Sequence, residues 1–224
     1  IHQEELENKT KAKDTVISTL SNAYNQPSKN ICLTPSGMNA MYCVLKGIKN
    51  IQAKNGRTIL VQLGWLYLDT MNIVNHYFEE SKIFYDVTNL DNFESFLKEN
   101  GFKVSAIVTE IPTNPLVQTV DLEKLKNICK FYNIPLVIDS TFATPYNLNL
   151  NSYADIYVES LTKFACGNAD VLMGAIILNK NSKISHISQE FFKYCDEPYI
   201  KDIQRLALEI QDYKTRVKKI SSNT

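Results

Sequence analysis

The sequence predicts an α/β fold, a three-layer sandwich in which helices flank a mainly parallel, mixed central sheet. Strand-like apolar runs alternate with helix-like segments through most of the 224 residues, which is typical of a parallel sheet covered by helices. Two apolar runs end in polar residues, one at Asp139 and one at Ser160-Leu161-Thr162-Lys163. Parallel strands bring such ends to one edge of the sheet, where ligands of open α/β sheets bind.

The first half of the chain contains four predicted helices and three predicted strands. The helices carry apolar residues at helical spacing and cover 4–23, 38–48, 69–78 and 89–100. The strands are short apolar or alternating runs at 31–33, 58–63 and 82–87. Gly37 stands where the first strand turns into a helix, and a glycine there leaves backbone N–H groups open to an anion. An ordinary glycine turn is the alternative.

The second half continues the alternation. Predicted strands cover 104–109, 135–139, 156–158 and 175–178. Predicted helices cover 121–132, 183–195 and 200–220, with Pro198 between the last two. Neither G-x-G-x-x-G nor G-x-x-x-x-G-K-[ST] occurs, which disfavours a dinucleotide-binding Rossmann enzyme and a P-loop NTPase.

Composition excludes several classes of function. Basic and acidic residues balance at 24 each, which argues against a nucleic-acid or acidic-lipid partner bound by net charge. The five cysteines form no C-x-x-C pair and the three histidines are far apart, so we expect free thiols, a reducing cytoplasmic location and no metal site. No apolar run approaches about 18 residues, and the polar, acidic start at Ile1 to Asn8 is unlike a signal peptide, so no membrane segment is expected.

Lys163 and Asp139 are the candidate chemical groups. A lysine at a strand end, flanked by hydroxyls and followed by a turn, is suited to covalent capture of an aldehyde beside a phosphate site. Each residue alone has a simpler explanation, since Lys163 can be a solvated surface charge and Asp139 can cap the next turn. Together at one sheet edge they supply the amine and the acid that a pyridoxal phosphate site requires.

Four motifs in this order and spacing resemble the Cys/Met-metabolism family of pyridoxal-phosphate enzymes, the trans-sulfuration group of fold type I. They are Ser36–Met41, Glu110–Pro115, Val137–Pro145 and Ser160–Phe164, the last followed by Gly167–Val171. The resemblance implies that residues 1–224 form the large, pyridoxal-phosphate-binding domain. It also implies that two parts are missing here, an N-terminal Tyr-x-Arg arm and a C-terminal small domain whose arginine clamps the substrate α-carboxylate.

The resemblance implies a role for each matching residue. Lys163 is expected to bind pyridoxal 5'-phosphate covalently and then to move the Cα proton, and Asp139 to keep the pyridine nitrogen protonated. Asn114 is expected to face the cofactor and the substrate carboxylate, and Thr141 to lie against the ring. The cofactor phosphate is expected to be held by the backbone or hydroxyl groups of Gly37, Met38, Ser160 and Thr162.

The chain departs from the family pattern at the position that usually stacks on the pyridine ring. A tyrosine is usual just before the glycine, and this chain has Leu63 followed by Gly64. Trp65 and Tyr67 are the alternative stacking residues. Arg205 lies in the predicted last helix and is expected to be structural rather than the carboxylate clamp.

The implied function is γ-replacement on an activated homoserine, as in cystathionine γ-synthase. A β- or γ-lyase acting on cystathionine or methionine is the close alternative. An alternative of another class is a truncated, non-catalytic remnant or binding partner that keeps the fold, and a generic α/β binding domain is a third. The resemblance also implies a small amino-acid substrate and a homodimer or homotetramer.

Overall fold

The computed structural model describes residues 3–149 and 152–223, with the backbone alone for residues 3–7. Residues 1, 2, 150, 151 and 224, which belong to the predicted domain 1–224, lie outside the described residues. Seven strands of the described ranges form one sheet. Their bounds are β1 Ile31–Thr34, β2 Ile59–Leu63, β3 Glu80–Phe84, β4 Val104–Glu110, β5 Leu136–Asp139, β6 Ile156–Ser160 and β7 Gly174–Leu178.

The strand order across the sheet is β1-β7-β6-β5-β4-β2-β3. Strand β7 runs antiparallel to β1 and β6, and the other neighbouring pairs are parallel. Helices cover both faces, so the predicted three-layer α/β sandwich with a mixed, mainly parallel sheet is confirmed. The helices are α1 Gln3–Tyr24, α2 Gly37–Ala53, α3 Leu68–Tyr77, α4 Asp91–Asn100, α5 Leu122–Tyr132, α6 Thr144–Asn147, α7 Gln189–Phe192, α8 Ile200–Glu209 and α9 Tyr213–Ser222.

Side-chain alternation along the strands divides the core into two layers. One face of the sheet packs against α2, α3 and α7, where Val108, Val137 and Val158 meet residues such as Val44 of α2. The opposite face packs against α1, α4, α5, α8 and α9 and contains residues such as Tyr157. We call these the α2 face and the α1 face. Buried apolar area on both sides gives the sheet its main stabilisation.

Strand register brings three polar residues together at the carboxyl edge of β4, β5 and β6. Glu110 pairs with Asp139, and Asp139 pairs with Val158, two residues before Ser160. Because these strands are parallel and side chains alternate, Glu110, Asp139 and Ser160 all face α2. Glu159, between them in sequence, faces α1 instead.

The predicted helix 183–195 was wrong over most of its length. The structure has a 3-10 turn at Ser185–Ile187 and only the four-residue α7. Serine and asparagine side chains compete here for the backbone, since the Ser182 hydroxyl accepts the Ile184 N–H and Asn179 accepts the Asn181 N–H.

The predicted helix 200–220 was wrong in its continuity. A 3-10 turn at Ile210–Asp212 divides it into α8 and α9. The carbonyl of Glu209, which a continuous helix would pair with the N–H of Tyr213, accepts a hydrogen bond from Arg216 at 3.0 Å.

The predicted strand 82–87 was misplaced. Strand β3 spans Glu80–Phe84, pairs with β2 alone and lies at the sheet edge. It ends before Asp86, whose carboxylate accepts the N–H groups of Thr88 and Asn89 and so forms a turn. None of the helices in the described ranges is long and apolar enough to cross a membrane.

Candidate active site

The N-terminus of α2 lies against the end of β6. Ser36 caps the helix, because its hydroxyl accepts the N–H of Asn39 at 3.0 Å. A Cβ placed on Gly37 would lie 2.8 Å from the Ser160 Cβ, so only glycine allows the helix to approach this strand so closely. Within residues 3–149 and 152–223 no acceptor pairs with the N–H groups of Gly37 and Met38, and this helix end is open to an anion.

Glycine is required on the neighbouring strand for the same reason. Gly174 begins β7 and pairs with Ser160 on one side and Thr34 on the other. A Cβ on Gly174 would collide with the carbonyl of Ser36. The Thr34 hydroxyl donates to that carbonyl at 2.8 Å, which fixes the turn into α2.

Asp139 ends β5 beside this helix end. Its carboxylate accepts the Thr141 N–H at 2.9 Å, and the Thr141 hydroxyl accepts the Ser160 N–H at 2.8 Å. Burial raises the pKa of Asp139, and the hydrogen bonds from Thr141 lower it again in part. The acid is therefore held in a poorly solvated position where a cationic partner would stabilise its charged form.

Lys163 lies in the turn that follows β6. Its side chain is exposed, and its backbone N–H donates to the carbonyl of Ser160 at 3.3 Å. Because β5 and β6 are adjacent and parallel, the turn that carries Lys163 and the end that carries Asp139 lie at the same edge of the sheet. The structure brings these two sequence elements together as predicted.

The two predicted phosphate-binding hydroxyls differ in their surroundings. The Ser160 hydroxyl has no hydrogen-bond partner in the described part of the chain and adjoins Gly37. The Thr162 hydroxyl accepts the Met173 N–H at 3.2 Å and lies 3.4 Å from the Met173 carbonyl. Ser160 is thus the freer of the two, and a phosphate role for Thr162 remains a prediction.

Glu110 is a site residue to which sequence reasoning gave no role. It ends β4, is only 8% exposed and pairs in register with Asp139. Backbone N–H groups of Tyr67 and Asn114 lie close enough to its carboxylate to lower its pKa, yet its Oε2 has no hydrogen-bond partner among the described residues. Burial first, and then the charge of Asp139, raise its pKa to about 8. Like Asp139, Glu110 directly ends an apolar strand in the sequence, and this pattern is the signal that marks it.

The residues proposed for ring stacking are separated by the structure. Leu63 ends β2, but its side chain is fully buried in the core of the α1 face. Trp65 packs on Tyr85, with ring centroids 5.1 Å apart. Tyr67 is 47% exposed, and its backbone N–H lies near Glu110. It is therefore close to the carboxyl end of β4, where Glu110 lies beside Asp139.

Asn114 and Arg205 occupy more peripheral positions. Asn114 is exposed in the loop after β4, where its N–H contacts Glu110, and its predicted substrate role stays a prediction. Arg205 forms ion pairs with Asp170 at 2.9 Å and Glu209 at 2.7 Å. These pairs agree with the structural role expected for it.

Comparison with known proteins decides the family. A family model described as Cys/Met metabolism PLP-dependent enzyme matches residues 8–197. The chain belongs to this family. The predicted resemblance is therefore confirmed, and so is the expectation that the cofactor is pyridoxal phosphate.

Two relatives and one solved structure show how much of such a protein the chain represents. L-2-amino-4-chloropent-4-enoate dechlorinase/desaturase of Streptantibioticus cattleyicolor is 32% identical over 93% of this chain and 43% of that protein. Cystathionine gamma-synthase of Neurospora crassa is 30% identical over 89% of this chain and 33% of that protein. The chain thus spans less than half the length of these curated relatives.

The solved structure shows the same fold. It is an O-acetylhomoserine (thiol)-lyase of Campylobacter jejuni, described as putative and containing N'-pyridoxyl-lysine-5'-monophosphate. The two chains superpose with a TM-score of 0.77 at 22% identity, covering 95% of this chain and 59% of that chain.

The residues present fit the family's cofactor. Among the described residues, the open N-terminus of α2 and the unpaired Ser160 hydroxyl suit a phosphate, and Asp139 is a partly buried acid without a cationic partner. Lys163 is exposed at the same edge and free to reach an aldehyde.

Proposed function

We propose that this chain forms the cofactor-binding part of an enzyme that replaces the γ-substituent of an activated homoserine with cysteine, a cystathionine γ-synthase-like transferase. The observation that carries the proposal is the row of Glu110, Asp139 and Ser160 at one sheet edge, with the Lys163 turn directly after it. Family membership and the cystathionine gamma-synthase relative support the reaction class. A homodimer or homotetramer with a small amino-acid substrate is part of the proposal.

Asp139 and the groups around Ser160 would bind different parts of the cofactor. When bound, pyridoxal phosphate supplies an aldehyde for amines and a ring that withdraws electrons from the substrate Cα. Asp139 would accept a hydrogen bond from the ring nitrogen, and the cationic N–H would offset the burial that now raises the pKa of Asp139. The N–H groups of Gly37 and Met38, with the hydroxyls of Ser160 and Thr162, would bind the phosphate.

Lys163 would hold the aldehyde carbon and, once released by the incoming amino acid, carry the proton to and from the substrate Cα. Tyr67 is the aromatic that we assign to the ring, because its backbone contacts Glu110 while Trp65 is packed on Tyr85. Asn114, in the adjoining loop, would face the substrate carboxylate.

Two alternatives have an observation in their favour. A lyase is favoured by the relative named for dechlorination and desaturation. A non-catalytic protein that keeps the fold is favoured by Leu63, which takes the place of the stacking tyrosine and is buried in the core.

The test is cofactor capture followed by turnover. With pyridoxal phosphate the chain should develop a yellow absorbance that borohydride removes while fixing the label on the peptide that contains Lys163. Lys163→Ala should lose both signals, whereas Lys201→Ala, which removes an exposed lysine of α8, should keep them. A colour and label that survive Lys163→Ala would disprove the assignment.

Turnover separates the candidate functions. A transferase should make cystathionine from an O-acylated homoserine and cysteine, while a lyase should release ammonia and a keto acid from cystathionine. Cofactor capture at Lys163 without either reaction would favour the non-catalytic alternative.

A further inference from the structure

The turn that carries Lys163 is fixed by a side chain from the last helix. Arg216 of α9 donates from Nη1 to the carbonyls of Phe164 at 2.8 Å and Ala165 at 2.9 Å. Its Nη2 donates to the carbonyl of Glu209 at 3.0 Å and lies 3.5 Å from the Glu209 carboxylate. The guanidinium therefore joins the turn to the junction between α8 and α9.

Gly167 closes the turn against this guanidinium. Its φ of +81° is in the left-handed region, and a Cβ there would collide with Nε, Cδ and Cζ of Arg216. The Arg216 side chain is only 20% exposed, so its contacts are partly shielded from water. The turn and the arginine fit each other only with glycine at this position.

The hydrogen bonds within the turn do not use the backbone carbonyls of Phe164 and Ala165, which accept from Arg216 instead. The Cys166 N–H donates to the Leu161 carbonyl at 3.0 Å, and the Gly167 N–H donates to the Lys163 carbonyl at 2.8 Å. The guanidinium is a planar, permanently charged fork that binds two acceptors in fixed geometry. The guanidinium therefore fixes the carbonyls of Phe164 and Ala165, the two residues that follow Lys163 in the turn.

We propose that Arg216 is a positioning residue for Lys163, holding its backbone so that the amine reaches the cofactor aldehyde at the Asp139 edge. The inference rests on the proposed function, because it assumes that Lys163 captures the aldehyde. Arg216 touches neither the cofactor-binding row nor the lysine side chain, and it acts through the carbonyls of Phe164 and Ala165.

Arg205 provides the matched control. It also pairs with Glu209 and reaches the same turn, but at its far end, through an ion pair between Nε and the Asp170 carboxylate. Its side chain is 40% exposed, and exposed ion pairs contribute little to stability. Arg205→Ala removes a cation near the turn without removing any bond to the peptide groups that follow Lys163.

The experiment measures capture of an aldehyde by Lys163 in the full chain. The Lys163 amine condenses with the aldehyde of pyridoxal 5'-phosphate to form a C=N bond and release water, and borohydride then delivers hydride to that bond and leaves a stable secondary amine. The rate and extent of labelling at Lys163 are read by peptide mass. Binding of 4'-deoxypyridoxine 5'-phosphate, which has no aldehyde, reports the phosphate and ring contacts without the lysine.

Arg216→Ala should slow labelling of Lys163 by about tenfold or more, because a small misplacement of a reacting group has a large effect on rate. Its affinity for 4'-deoxypyridoxine 5'-phosphate should stay within about twofold of the parent, since Asp139, Gly37 and Ser160 are untouched. Added methylguanidinium should restore part of the labelling rate, and Arg205→Ala should match the parent throughout.

A second pair of variants tests the contact from the other side. Gly167→Ala places a methyl group where the guanidinium lies, and should reproduce the slow labelling of Arg216→Ala. Gly56→Ala is its control, because Gly56 has a similar φ of +71° but nothing within 4 Å of the added Cβ. Should Arg216→Ala not fold, this pair decides the proposal on its own.

The possible outcomes distinguish failure of the Arg216 positioning role from failure of the proposed function. If the parent chain is not labelled at Lys163, the proposed function fails. If the parent is labelled and both Arg216→Ala and Gly167→Ala are labelled at the parental rate, the positioning role is wrong while the function stands. An equal loss of labelling and of 4'-deoxypyridoxine 5'-phosphate binding would also overturn it, because it would indicate a general collapse of the site.

Discussion

Each face of the sheet buries a glutamate, and the two faces satisfy their glutamates very differently. On the α1 face, Glu159 accepts hydrogen bonds from the hydroxyls of Tyr24 and Tyr213, both at 2.6 Å. On the α2 face, Glu110 has only nearby backbone N–H groups, and its Oε2 has no hydrogen-bond partner among the described residues. A buried acid whose oxygens are both bonded within the fold stabilises the fold, whereas one left partly unpaired next to Asp139 agrees with the proposed ligand site on the α2 face.

The pKa values of the two acids follow the same division. Burial raises the pKa of Glu159 to about 7, with the two tyrosine hydroxyls opposing the shift. Burial and the charge of Asp139 raise the pKa of Glu110 to about 8. The better bonded glutamate is the less perturbed one, although it is the more deeply buried of the two.

The largest effect on stability should come from removing Glu159, the glutamate whose two oxygens are both hydrogen-bonded. Glu159→Ala leaves the Tyr213 hydroxyl without its acceptor, opens a cavity and separates α1 from α9, so the free energy of unfolding should fall by about 4 kcal/mol. Urea denaturation measures it. Glu159→Gln keeps the shape and one acceptor and should lose about 1 kcal/mol. A loss below about 1 kcal/mol for Glu159→Ala would remove the distinction between the two faces.

Much of the α2 face was predictable because its site residues stand at the ends of apolar runs that are recognisable as strands in the sequence. The apolar runs that end at Asp139 and Ser160 fix which residues reach the carboxyl edge, and the parallel pairing of β5 and β6 then brings the ends together. The glycine that begins α2 also indicated an open helix end. A local pattern sufficed here, since strand period and strand direction determine the geometry.

The α1 face could not be predicted in this way. Glu159 meets Tyr24 and Tyr213 across 135 and 54 residues of chain, and nothing in the sequence near any of them signals the others. The tyrosines occupy ordinary apolar-stripe positions of helices. The same holds for Arg216, which bonds the Glu209 carbonyl where the predicted continuous helix is interrupted, and which also bonds Phe164 and Ala165, 52 and 51 residues earlier in the chain.

The raised pKa of Glu110 should be visible in how the free energy of unfolding depends on pH. With a folded pKa of about 8 against an unfolded value of 4.5, Glu110 keeps its proton in the folded state after the unfolded chain has lost it. Stability therefore falls as pH rises through that interval, by up to about 1.4 kcal/mol for each pH unit from this group alone. Glu110→Gln has no proton to lose, and its new amide can donate towards Asp139.

The measurement is urea denaturation from about pH 5 to about pH 8. Glu110→Gln should show a flatter decline than the parent and should be the more stable of the two at the upper end. Glu80→Gln, a change at an exposed glutamate of β3, should follow the parental curve. Parallel curves for Glu110→Gln and the parent would show that Glu110 is not held protonated.

The smallest effects on stability are expected from replacing one serine on each face, Ser140 on the α1 face and Ser160 on the α2 face. The Ser140 hydroxyl lies 2.7 Å from the Tyr24 hydroxyl and donates to the Val158 carbonyl at 3.2 Å, while the Ser160 hydroxyl has no partner in the described ranges. Ser140→Ala should therefore cost about 1 kcal/mol of unfolding free energy without changing affinity for 4'-deoxypyridoxine 5'-phosphate. Ser160→Ala should leave stability within about 0.5 kcal/mol and weaken that affinity by about tenfold, because it removes the proposed phosphate donor beside Gly37. Equal effects of the two changes on stability, or on affinity, would mean that the faces do not divide fold from site.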